Sequence, residues 1–208
     1  MDKREEIIKS AKDLVLMKGY NNVSVEDITN HIGIAKGSFY TYFKSKTSLI
    51  NYILEEKIRN SEQEQKKFFR SVTTFEGAIR KLVRSKIILK GEEDIKIDLM
   101  ITSFFRNIDS LAEDTIKILI EIEKLNVDFV EKILIRYGDD INIKDGDIRF
   151  YSKFVNGIIH NYKIFNLFIS EEKNDFITTT QELKEKYQDK KFNNNVKIII
   201  ESIKKILR

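Results

Sequence analysis

Apolar positions recur three and four residues apart along most of this chain, the spacing that lines one side of a helix. Ile7, Ala11, Leu14 and Val15 form one stripe over residues 3–18, and Gly19 stops it. Ser24 and Asp27 then stand in the S-x-x-D spacing of a helix cap. In such a cap the hydroxyl accepts from a free backbone N–H, and the carboxylate sits on the positive helix end. A second helix is therefore predicted to start at Val25, carry Ile28 and Ile32 on its apolar side, and stop at Gly33 in the left-handed conformation. The chain re-enters helix over residues 35–38, with Phe39 and Phe43, four apart, as the buried side. Lys36, Ser38, Tyr40, Thr41 and Tyr42 are left facing outward.

Beyond this point the stripes lengthen. Ser45 is placed to cap a fourth helix built on Leu49, Ile50, Ile53 and Leu54. Thr73 with Glu76 reads as a capping box for a fifth, which carries Phe75, Ile79, Leu82, Val83 and Ile87 and stops at Gly91. A sixth is predicted over 94–106, and a long seventh is opened by Ser110 and Glu113 and closed after Tyr137 by Gly138. Residues 139–147, with an Asp-Gly pair, read as loop. Residues 147–169 carry two apolar lines: Phe150, Phe154, Gly157, Ile158 and Phe165 on one, Tyr151, Val155, Ile159 and Tyr162 on the other, about 100° away. A helix apolar on two sides has to be covered on two sides. The last helix, over 194–207, carries Val196, Ile199, Ile200, Ile203 and Leu207. A second subunit or internal packing would each serve as the missing cover. The expected fold is all-α, with about nine helices.

Composition agrees. With no proline in 208 residues, long helices meet few breakers. No cysteine and two histidines exclude disulfides, thiol nucleophiles and clustered Cys or His metal sites. No glycine-rich phosphate loop, G-x-S-x-G or H-E-x-x-H is present, so no enzyme chemistry and no cofactor is expected. The start has no signal-type apolar core and no stretch approaches 18 apolar residues, which predicts a cytoplasmic protein without a membrane span. The net charge of +4 says little, but its distribution says more. From residue 28 to 54 there is no Asp or Glu, while Lys36, Lys44 and Lys46 are present. A polar, aromatic and basic helix face beside local positive charge suits the major groove and its phosphates.

The run G-Y-x-x-V-S-V-E-D-I followed by G-I-A-K-G-S-F-Y-T-Y-F-K-S-K resembles the DNA-binding domain of the TetR family of bacterial transcriptional regulators, over roughly residues 5–53. The resemblance implies an N-terminal helix-turn-helix domain over 1–46 and a helical effector-binding and dimerisation domain over 47–208. It implies a homodimer on a palindromic double-stranded DNA operator, usually as a repressor released by a small hydrophobic effector. DNA contact then falls to Lys36, Gly37, Ser38, Tyr40, Thr41, Tyr42 and Lys46, with Gly37 permitting close approach and Lys46 meeting phosphate. Pairing falls to Phe150, Phe154, Gly157, Ile158, Phe165, Val196, Ile199, Ile200 and Ile203. Candidate effector-lining residues are Met100, Phe104, Phe105, Phe129, Tyr137, Tyr151 and Tyr162, each of which could equally be ordinary core. A DNA-binding architectural protein with the same head and no effector is the alternative.

Overall fold

The computed structural model of the chain describes residues 2–89, 91–143, 147–167, 169–170, 175–176 and 179–208. Ten α-helices stand among them: α1 Lys3–Lys18, α2 Val25–His31, α3 Lys36–Tyr40, α4 Lys46–Ser71, α5 Phe75–Ile87, α6 Glu92–Arg106, α7 Glu113–Arg136, α8 Ile148–Tyr162, α9 Thr180–Gln188 and α10 Lys190–Leu207. A single wider turn, Lys163–Leu167, prolongs α8, and residues 169–170 pair antiparallel with 175–176, Ile169 opposite Phe176. The fold is all-α, as predicted. Of the expected 139–147 loop, residues 144–146 lie outside the described residues.

Several ends differ from expectation for local reasons. The cap of α5 is Thr74, whose hydroxyl accepts from the Gly77 N–H at 3.2 Å, rather than Thr73 paired with Glu76. Starting one residue later puts Phe75 in the core and frees the Glu76 carboxylate to meet Arg208. Ser110 does not open α7; it ends a short 3-10 turn and bonds the Asn107 carbonyl at 2.7 Å. The tenth helix arises in a polar segment where only Leu183 is buried on α9, leaving no stripe to read. Asp189 then caps α10, which starts at Lys190, four residues earlier than expected.

Packing divides the chain into two compact units. One comprises Met1–Asn60 with Gly91–Ile122. Its core joins Ile7, Ala11, Leu14 and Val15 of α1 to Ile28, Phe39, Leu49, Ile53 and, from α6, Met100 and Phe104. The first three helices are thus too few to close their own core, and α6 completes it. Along the α1 and α6 seam, Lys12 pairs with Glu93 and Lys96 reaches Asp13 at 2.7 Å.

The other unit comprises Ser61–Lys90 with Glu123–Arg208. There α10 lies against α5, burying Val196, Ile200, Ile203 and Leu207 with Ile79, Leu82 and Val83. Full burial of one such side chain stabilises by about 1.5–3 kcal/mol. On α8 the inward row is Ser152, Val155 and Ile159. Arg149 at its start clamps Asp128 and Glu131 of α7 at 2.5 and 2.6 Å.

Candidate nucleic-acid interface

Three local devices set the turn between α2 and α3. The first is a reciprocal cap: the Asp27 N–H donates to Ser24 Oγ at 3.0 Å and the Ser24 N–H donates to Asp27 Oδ2 at 2.8 Å. The Ser24 hydroxyl and backbone N–H, with the Lys18 ammonium at 3.1 Å, hold the Asp27 carboxyl well below its ordinary 3.8. The second is Gly33 at φ 69°, a conformation that side chains with a Cβ disfavour. It lets the Ile34 N–H close back onto the Thr29 carbonyl at 3.0 Å. The third is the apolar pair Phe39 and Phe43, both buried, with ring centroids 5.9 Å apart.

Anchored in this way, α3 turns its other residues outward. Lys36, Gly37, Tyr40, Thr41 and Tyr42 are exposed and Ser38 is half-exposed. Lys36, Gly37, Ser38 and Tyr40 lie on α3 itself, and Thr41 is its C-terminal cap. The seven expected DNA-facing residues therefore fall within eleven positions, and six of them share one exposed stretch.

Lys46 is more tied down than its sequence suggested. Its ammonium donates to the Tyr20 and Val23 carbonyls at 2.8 and 2.7 Å and lies 4.1 Å from the centre of the Tyr20 ring. Burial pulls its pKa down from 10.5, while the Asp27 carboxylate works the other way. Two of its three N–H groups are thus used inside the unit. The Tyr20 hydroxyl meets Thr47 Oγ1 at 3.3 Å, so the start of α4 is fastened to the turn before α2. Ser45 and Ser48 cap α4 reciprocally, each backbone N–H donating to the other's hydroxyl at 2.9 and 3.0 Å. Nor does sequence spacing reveal that the Arg4 guanidinium stacks over Tyr52 at 4.1 Å, since the partners lie 48 positions apart.

The residues expected to pair subunits separate into two groups. Phe150, Phe154 and Phe165 are 64%, 43% and 60% exposed, Gly157 is exposed and Ile158 half-exposed, so the described residues leave much of the first apolar line of α8 open. On α10, Val196, Ile200 and Ile203 are buried within the chain, and α10 packs on α5. Ile199 is half-exposed, and the outward apolar residues of α10 are Ile198 and Ile206.

The candidate effector-lining residues fall in both units. Met100 and Phe104 are buried, and Phe105 is partly buried, in the core of the first unit, with Phe104 edge-on to Tyr20 at 5.7 Å. In the second unit Phe129 is wedged edge-on against Phe68 and Phe69 at 4.9 and 5.7 Å, and the Tyr137 hydroxyl donates to the Val72 carbonyl at 3.2 Å. Tyr151 and Tyr162 are half-buried there, Tyr162 against Phe192 and with its pKa raised by burial.

A family profile described as "Bacterial regulatory proteins, tetR family" matches residues 7–53. The HTH-type transcriptional regulator YerO of Bacillus subtilis (strain 168) is 28% identical over 176 residues, 82% of this chain and 58% of that protein. The HTH-type transcriptional repressor BdcR of Escherichia coli (strain K12) is 39% identical over 54 residues, 26% of this chain and 27% of that one. The chain thus matches little more than half the length of one and about a quarter of the other. A crystal structure of a TetR transcriptional regulator from Legionella pneumophila shares the fold at a TM-score of 0.70, with 16% identity over 100% of this chain and 98% of that one. No described helix is long and apolar enough to cross a membrane.

Proposed function

From the premise that this chain belongs to the TetR family of bacterial regulatory proteins, we propose that it is a cytoplasmic transcriptional repressor that binds a palindromic operator as a homodimer and lets go when a small hydrophobic effector binds its body. The observation that carries the reading is the α3 surface: Phe39 and Phe43 are buried while Lys36, Tyr40, Thr41 and Tyr42 stand free, in a stretch without a carboxylate from 28 to 54. Lys36 reaches guanine acceptors or phosphate, Ser38 and Thr41 touch base edges or backbone, and the Tyr40 and Tyr42 hydroxyls donate to phosphate oxygens. Gly37 keeps the approach open. Lys46 adds its remaining N–H to a phosphate. Two such surfaces, held by a symmetric pairing of the Phe150, Phe154, Gly157, Ile158 and Phe165 line with Ile198, Ile199 and Ile206, read two half-sites about 34–36 Å apart.

A gel-shift titration on the native promoter tests the assignment. Lys36→Ala and Tyr42→Ala are each expected to weaken binding by about 1–3 kcal/mol, and Lys36→Ala to lower the salt slope by about one. Unchanged affinity in both overturns the α3 assignment. Footprints on one or a few inverted repeats support a regulator, whereas scattered protection supports an architectural protein.

A further inference from the structure

Helical spacing runs past the end of α3. Thr41 keeps right-handed helical angles and the Phe43 N–H bonds back to the Phe39 carbonyl at 3.0 Å, so residues 36–43 stand around one axis at about 100° each. Phe39 and Phe43 are the buried side. Thr41 lies directly opposite their mid-line, with Gly37 about 40° to one side of it and Ser38 about 60° to the other. Tyr40 and Tyr42 lie about 100° away, one on each flank, and Lys36 further round still.

The middle of the outward side therefore consists of its three shortest side chains, and the long ones stand at its edges. Gly37 and Thr41 are exposed and Ser38 is half-exposed. A Cβ at Gly37 would meet nothing within 4 Å, and its backbone is not left-handed, so neither packing nor φ demands a glycine there. The gap it leaves lets a surface facing α3 come close to Thr41.

What the stretch lacks narrows its chemistry further. Between residues 31 and 50 there is no Asp, Glu, Asn, Gln or Arg. Asn and Gln are the side chains that pair bidentately with adenine, and Asp and Glu those that accept from cytosine. Lys36 remains as a hydrogen-bonding partner for guanine. An A·T pair has one major-groove mark that needs no such group, the thymine C5-methyl.

We propose, on the reading of α3 as the helix that enters the major groove, that Thr41 is a specificity-determining residue whose γ-methyl packs on the C5-methyl of one thymine in each half-site. That apolar contact, rather than a hydrogen bond to the adenine, identifies the pair, and Gly37 clears the way for it.

The test uses the full chain and a duplex that it selects from a random pool, with thymines replaced one at a time by deoxyuridine, which removes only the methyl group. In gel-shift titrations one replacement in a half-site is expected to weaken binding about fourfold, the worth of one buried methyl group. Thr41→Ser keeps the hydroxyl without the methyl and is expected to bind the thymine and uracil duplexes alike. Thr41→Val keeps the methyl and is expected to keep the difference. The position is exposed, so both variants are expected to melt with the native chain. Placing 7-deaza-adenine opposite the sensitive thymine removes the N7 acceptor that an amide would use, and is expected to change binding little. No sensitive thymine, sensitivity that survives in Thr41→Ser as a shape effect would, or a marked loss with 7-deaza-adenine overturns the assignment of Thr41. Failure of the wider reading looks different. If Lys36→Ala and Tyr42→Ala leave affinity unchanged, or the pool yields no preferred sequence, α3 is not the reader and Thr41 falls with it. If those two variants weaken binding while deoxyuridine is neutral throughout, α3 stays and the Thr41 contact alone is removed.

Discussion

The α2–α3 turn and the outer side of α8 both present aromatic rings to solvent, but the company those rings keep differs. Around Tyr40 and Tyr42 the neighbours are lysine, serine, threonine and glycine, and each ring ends in a hydroxyl. Phe150 and Phe154 stack at 6.2 Å with no polar tip, in line with Gly157 and Phe165. A surface of the first kind is content in water and gains by meeting phosphates and base edges; one of the second kind gains only by losing water. On the proposed function, one chain carries two recognition surfaces with opposite solvent preferences, and the partners proposed for them differ accordingly: a polyanion for one and an apolar protein surface for the other.

The sharpest way to break the contrast is from beneath. Phe39→Ala empties a fully buried position and is expected to cost about 3–5 kcal/mol, seen as a lower urea midpoint and loss of operator binding together. Next comes the uncovered side of α8. Phe154→Glu alters a side chain outside the buried core, so helix content by circular dichroism should hold, while self-association measured by sedimentation should weaken by about 2–4 kcal/mol. Undiminished association would move the pairing surface elsewhere. The smallest expected effect lies at the cap. Ser24→Ala should cost about 1 kcal/mol near neutral pH. It should also weaken an acid dependence, since the Ser24 hydroxyl is the largest of the groups that hold the Asp27 carboxyl down. The Asp27 carboxyl is held below its unfolded value, so its contribution is complete above the ordinary carboxylate range and is lost as pH falls below about 3.8. Unfolding midpoints of native and variant chains should therefore converge in acid.

Legibility from sequence tracked how local the cause was. Ser24, Asp27, Gly33, Phe39 and Phe43 act within one or two turns of themselves, and each stands where spacing put it. Two adjacent threonines at 73 and 74 leave a cap ambiguous by one residue, and the choice is made by Phe75 entering the core. On α10, isoleucines at 198, 199, 200, 203 and 206 occupy more than one side, so which side faces in was settled by the packing of α10 on α5 and α9. The seam of α1 with α6 joins residues about 80 positions apart and left no local signature. The two carbonyls that hold Lys46 are likewise backbone groups far away in sequence, which no side-chain pattern encodes.

The five-residue length of α3 carries a consequence for evolution. Its fastening is done by two phenylalanines, while Lys36, Ser38, Thr41 and Tyr42, proposed to meet DNA, lie outside the core. On the proposed reading, address and chassis are thereby separated, and a few codons at positions 36, 38, 41 and 42 would send the same protein to a different promoter at little expense in stability.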